Sequence, residues 1–261
     1  DASISLNWTQ KLKEKCDEVG ITYFTSPYDY DAVDHVDKFV PAFKIGSGDI
    51  SWHEILDYIA SKSKPVFLAT GASTLDEVKV AMKILNKHTE KIVLMQCNTN
   101  YTAEKENFKY INLNVLKTYK SNFPNIILGL SDHTYGHATV VGAVALGARV
   151  FEKHFTDDNN RLGPDHKFAM DPNSWSKMVR TANEVFLSLG NGEKKVEDNE
   201  RETAFLQRRG LIYRKDLLKG HKLNYNDFFP LRPLNSGGIV PYRSNEIVGK
   251  KLIKNVKIDD H

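Results

Sequence analysis

Cysteine is nearly absent from this chain: Cys16 and Cys97 are the only two in 261 residues, so no disulfide framework is available. Both sit in apolar, periodic segments and are expected as reduced core thiols, which points to a reducing, cytoplasmic compartment. Excess charge is missing too. Thirty-six lysines and arginines against 33 acids leave a net +3, too weak to imply a nucleic-acid partner or an anionic membrane surface. The longest apolar stretch, 138–151, is broken by Gly142, Gly147 and Arg149. It falls short of the roughly 20 residues that a membrane span requires. No leader-like segment is read ahead of the first helix. No Gly-x-Gly-x-x-Gly turn, Gly-Lys-Ser/Thr phosphate loop or His-Glu-x-x-His zinc motif is present, so a doubly wound nucleotide-binding sheet finds no support.

What is present is an ordinary globular composition, 41% apolar and 26% charged. It is organised as short β-rich runs alternating with segments of helical period. The runs are 21–26, 42–46, 65–71, 91–97, 125–131 and 148–155. Each is largely apolar rather than strictly alternating, as expected of parallel strands covered on both faces. Helices are predicted over 7–19, with Leu12, Cys16 and Val19 inward, over 75–85 behind a Ser73-Thr74 cap, and over 113–119, 138–146 and 175–189. This pattern predicts a (β/α)8 TIM barrel, residues 1–189, that lacks its first strands in this chain. A charged stretch at 190–204 reads as a linker, and the turn-rich remainder, 205–261, as a small β-rich domain.

In such a barrel, chemistry is carried by the C-terminal ends of strands. Here those ends bring Ser26, then Lys44 with Ser47 and Asp49, then Thr70, then Thr99 and Tyr101, then Ser131 and His133, and finally His154. Small hydroxyls, amides beside glycines and one lysine suit an oxyanion such as phosphate, although a single strand-end hydroxyl is more often a helix cap. Lys44, inside an apolar strand, must either pair with an acid or bind an anion. His133 and His154 end neighbouring strands about 4.8 Å apart, close enough to share one metal or simply to be hydrogen-bonded. Asp165, in a Gly-Pro turn after the sixth run, reads as a surface turn or as a partner for substrate hydroxyls.

Lys44-Ile-Gly-Ser-Gly-Asp49, Ala69-Thr-Gly71, Ser131-Asp-His-Thr134, Glu152-Lys-His-Phe155 and Gly163-Pro-Asp-His166 stand in the order and at the spacing of the sialic acid synthases. By these motifs the chain resembles that family, which makes N-acetylneuraminic, legionaminic and pseudaminic acids. Arg208-Arg209 and Leu231-Arg232-Pro233 resemble its C-terminal antifreeze-like (SAF) domain. The resemblance implies condensation of phosphoenolpyruvate with an open-chain N-acylated hexosamine such as N-acetylmannosamine. It implies a divalent metal, usually manganese, on His133 and His154, and a catalytic role for Lys44 and Asp49. It implies substrate contacts from Ser26, Ser47, Thr70, Thr99, Tyr101, Ser131 and Asp165, with Arg232 reaching a partner subunit's sugar in a domain-swapped homodimer. Family members more often have glutamate at Asp49, Ser-Thr at Ala69-Thr70 and asparagine at Thr99. They also begin with two strands, one carrying a glutamate, that are not read here, so this chain alone is expected to be poorly active. Another phosphoenolpyruvate-dependent ulosonate aldolase, or an inactive sugar- or partner-binding scaffold, are the competing readings.

Overall fold

In a computed structural model, residues 4–102 and 104–261 are described. The chain divides into two compact units, Asp1–Gly190 and Asn191–His261. The first is a five-stranded parallel sheet in the order β1 (Phe43–Ile45), β2 (Val66–Ala69), β3 (Ile92–Cys97), β4 (Ile127–Asp132), β5 (Val150–Lys153). Helices α1 (Thr9–Val19) and α2 (Tyr30–Asp37) precede it; α3 (His53–Ser61), α4 (Leu75–Leu85), α5 (Val115–Asn122) and α6 (Ala138–Ala145) connect successive strands, and α7 (Pro172–Ser188) follows β5. No helix among the described residues is long and apolar enough to cross a membrane.

Strand alternation sorts the side chains into two layers. Phe43, Ile45, Val66, Leu68, Ile92, Leu94, Leu128 and Leu130 join one buried cluster with Val33, Ile55, Leu56, Val78, Leu85, Leu116 and Val140 from the helices. Residues of the opposite phase, among them Lys44, Ala69, Ser131 and Glu152, line a cavity on the other face. That face is concave, because Lys44 on β1 and Glu152 on β5, the two outermost strands, come within 3.2 Å of each other. The curl leaves little room inside it: a Cβ at Gly129 would stand 2.8 Å from Met95 Cγ and 3.1 Å from the Val150 carbonyl oxygen, so only glycine fits there.

Several expectations are corrected. The run at 21–26 is not a strand; Thr25 makes one parallel bridge to Phe43, at the sheet's edge, with no strand on its far side among the described residues. The predicted inward face of the first helix is largely open. Val19 is 57% exposed and Cys16 only half-buried. Cys97 is buried as expected. Two helices the periodicity did not single out, α2 and α3, bury Val33 and Val36, and Ile55, Leu56, Ile59 and Ala60. α4 begins at the expected cap, with Thr74 and Glu77 bonded reciprocally.

The second unit pairs β6 (Gly210–Tyr213) antiparallel with β7 (Phe228–Leu231) over a small core of Leu211, Leu217, Leu223, Phe228, Leu252 and Val256. The expected linker is partly ordered. Glu197 and Glu200 form a capping box, and a helix, α8 (Arg201–Gln207), starts inside it.

Leu94 is fully buried in the central strand, whereas Ile127 at the start of β4 is 51% exposed. Leu94→Ala should lower unfolding free energy by about 2–5 kcal/mol, and Ile127→Ala by less than about 1 kcal/mol. Urea unfolding measures both; equal losses would contradict the assigned core.

Candidate active site

All five strands run parallel, so their C-terminal ends share one rim, and the polar residues lie there. A cavity of about 360 Å³ is lined by Ser26, Tyr28, Lys44, Ser47, Asp49, Thr99, Tyr101, Ser131, His133, Glu152 and His154, among others. Nine of the twelve residues singled out from sequence therefore line one space.

One side of the cavity is suited to an anion. The Lys44 ammonium is 3.2 Å from Glu152 Oε2 and donates to the Ile45 carbonyl at 3.2 Å, with only 9% of its side chain exposed. Of the two readings open for this lysine, pairing with an acid is what the structure displays. Ser47 opens a short 3-10 turn, Ser47–Asp49, and its Oγ accepts the Gly71 N–H at 2.9 Å. A Cβ at Gly71 would fall 1.9 Å from Thr99 Oγ1 and 2.9 Å from Ser47 Oγ, so the bare glycine lets these two hydroxyls approach. Burial holds the Asp49 carboxyl above its ordinary range despite the opposing pull of the Lys44 charge. Burial, then the Asp49 and Glu152 charges, push the Tyr28 phenol up as well.

The other side is a box of rings. His133 and His154 lie 5.1 Å apart, centroid to centroid, with Tyr101 at 4.5 and 5.7 Å from them and the buried Phe168 at 6.3 and 5.0 Å. His133 Nδ1 donates to the Asn98 carbonyl at 3.1 Å, which leaves Nε2 as the ring's lone-pair donor. Asp165 Oδ2 lies 3.3 Å from Nδ1 of His154. Burial lowers the pKa of both imidazoles, so the neutral form that can ligate a metal is favoured. Among the described residues, no group of three or more His, Cys, Asp or Glu side chains converges as a metal cage. Two imidazoles with one nitrogen each tied off nevertheless fit a divalent ion that keeps positions for water or substrate.

Two expected residues stand elsewhere. Thr70 does not reach the cavity: its hydroxyl is buried and bonded to the Met95 carbonyl and the Tyr119 phenol, both at 2.8 Å. Asp165 lies outside the lining and touches the site through His154. Arg232, expected to act on a partner subunit, belongs to the second unit, where it is exposed and its Nε donates to the Gln207 carbonyl at 2.6 Å. Conversely, Glu152 and Tyr28 line the cavity without having been singled out. Glu152 carried a legible signal, since it stands two residues before His154 and so on the same strand face. Tyr28 had none beyond following Ser26 closely.

Residues 1–194 match the family model described as the NeuB family. The N,N'-diacetyllegionaminic acid synthase of Legionella pneumophila is 36% identical over 251 residues, covering 94% of this chain and 69% of that protein. The pseudaminic acid synthase of Campylobacter jejuni serotype O:2 is 31% identical over 261 residues, covering 99% and 74%. Among solved structures, the N-acetylneuraminic acid (sialic acid) synthetase of Leptospira borgpetersenii superposes with a TM-score of 0.72 at 28% identity, over 77% of this chain and 70% of that one. A parallel curled sheet with its polar residues gathered at one rim, and a family match across the whole unit that builds it, agree: this chain belongs to the NeuB family of sialic acid synthases.

Proposed function

We propose that the rim cavity condenses phosphoenolpyruvate with the aldehyde of an open-chain N-acylated hexosamine to give a nonulosonic acid. C3 of phosphoenolpyruvate bonds to the aldehyde carbon, whose oxygen takes up a proton; water adds at C2, and the C2–O bond to phosphate breaks. The observation that carries this reading is the division of one cavity into an anion side, Lys44 with Ser47, and a two-imidazole side, His133 with His154, in a chain of this family.

Each residue's part follows from its setting. Lys44, largely shielded from water, offers a charge-assisted donor to the phosphate or carboxylate, exchanging Glu152 for the ligand or sharing it. Ser47, Thr99, Ser26 and Ser131 add neutral donors around it. Asp49, whose carboxyl pKa is raised by burial, lines the cavity and is placed to pass a proton or to hold the attacking water. Tyr101 stands beside both imidazoles, where a sugar chain would run, and Asp165 steadies His154 while remaining open enough to accept a sugar hydroxyl. His133 and His154 would hold the divalent metal, manganese in this reading; when bound it supplies Lewis-acid polarisation of the aldehyde carbonyl.

Phosphate release by the full-length gene product tests the reaction, with N-acetylmannosamine and a 2,4-diacetamido trideoxy hexose offered in parallel, with manganese or with EDTA. Release that depends on a sugar and on the metal is expected, and His133→Ala should lower kcat/KM at least about 100-fold. No release with either sugar would overturn the reading in favour of a scaffold or another aldolase. Separately, Lys44→Met should weaken phosphoenolpyruvate binding by about 10- to 100-fold in calorimetry, the range of a hydrogen bond to a charged group worth ~1.5–3 kcal/mol. An unchanged affinity would remove Lys44 from the anion site.

A further inference from the structure

Behind the two histidines lies an ion pair that the proposed chemistry does not use. Asp132 and Lys153 end β4 and β5, face each other in register, and have side chains 0% and 1% exposed. Lys153 Nζ is 2.6 Å from Asp132 Oδ2 and donates to the Thr134 carbonyl at 2.7 Å. The carboxylate also accepts the Thr134 N–H at 3.1 Å, the Thr134 hydroxyl at 2.9 Å and the Thr139 hydroxyl of α6 at 2.6 Å. His133 is thus bracketed: the residue before it holds the residue after it by two hydrogen bonds, and Lys153 adds a third to the same turn.

The very next residue along β5 is His154. Because side chains alternate along a strand, the buried charged groups of the pair bond on the helix side, Asp132 to Thr139 of α6, while the imidazoles reach the cavity, which Asp132 also borders. A buried ion pair is weak as a source of stability but strong as a constraint on register, since a slip of β5 against β4 would leave both charges buried and unpaired.

We propose that Asp132–Lys153 is a positioning clamp that brings His133 and His154 to the rim at one level and at one separation, and thereby sets the affinity of the imidazole pair for a divalent cation. The affinity half rests on the reading that these histidines hold a metal; the positioning half does not. Asp132 and Lys153 are positioning residues, because neither acts on the substrate.

The test uses Asp132→Asn/Lys153→Met, which neutralises both partners together and so leaves no lone buried charge, and the milder Thr139→Val. Three measurements are made on each: imidazole ¹⁵N resonances of the metal-free protein, manganese affinity by electron paramagnetic resonance, and phosphoenolpyruvate affinity by calorimetry. The clamp predicts displaced ring resonances for His133 and His154, manganese affinity reduced by about 10- to 100-fold in the double variant, and a clearly smaller loss of phosphoenolpyruvate affinity, since Lys44 and Ser47 are carried by β1 and its turn and only Ser131 and Glu152 of the anion side adjoin the pair. Thr139→Val should shift the same quantities in the same direction by less, and it decides the matter if the double variant does not fold. Ring resonances unchanged in the folded variants would overturn the clamp. So would equal losses of manganese and phosphoenolpyruvate affinity, the mark of general loosening. Should the unsubstituted protein bind no manganese that His133→Ala removes, the metal reading falls, and the ring resonances alone decide the clamp.

Discussion

Lys44 and Glu152 come from the two outermost strands of the sheet, yet their charged groups are 3.2 Å apart. That distance summarises the constraint on which the site depends. A flat five-stranded sheet with neighbours about 4.8 Å apart would hold its edge strands some 19 Å from each other, so the sheet must curl until its ends nearly meet. Curling puts every inward side chain at the rim into one small volume, and it makes Lys44 and Glu152 neutralise each other in a place where either alone would be costly. An incoming phosphate or carboxylate competes with Glu152 for that ammonium, so the pair that braces the concave face also keeps the anion side preorganised.

The rim therefore carries two charge pairs on opposite faces of the same sheet. Lys44–Glu152 faces the cavity and remains partly reachable, with 45% of the glutamate side chain exposed; Asp132–Lys153 faces the helices and is closed to water. The first is placed to exchange partners with a ligand. The second has its hydrogen-bonding directions filled by Thr134 and Thr139, which suits a fixed support. Phe168 completes that support by lying against both imidazoles.

Much of this arrangement was legible in the sequence, and the misses have physical causes. Apolar runs located all five strands, because strands covered on both faces lack polar alternation. The same reasoning overstated 21–26, where composition suits a strand but the geometry of an edge allows a single bridge. It passed over α2 and α3, whose short apolar faces lie among acids, aromatics and histidines. At the site, strand ends identified Lys44, Ser47, Ser131, His133 and His154, since position along a parallel strand determines which rim a residue reaches. Thr70 shows the limit of that rule: residues of one phase turn to the cavity and those of the other to the helices, so phase along the strand decides which layer a strand-end hydroxyl serves. Glu152 could have been found from its spacing to His154, whereas the Asp132–Lys153 pair depends on cross-strand register, which linear spacing does not display.

The central claim is that one cavity holds both halves of the reaction, an anion against Lys44 and a cation between two imidazoles. Crystals of the full-length gene product grown with phosphoenolpyruvate and manganese, measured at the manganese absorption edge, test it most directly. One anomalous peak is expected within bonding distance of Nε2 of His133 and of a nitrogen of His154, with the phosphate or carboxylate of phosphoenolpyruvate on Lys44 and Ser47. Phosphoenolpyruvate bound away from Lys44, or manganese bound away from both histidines, would contradict it.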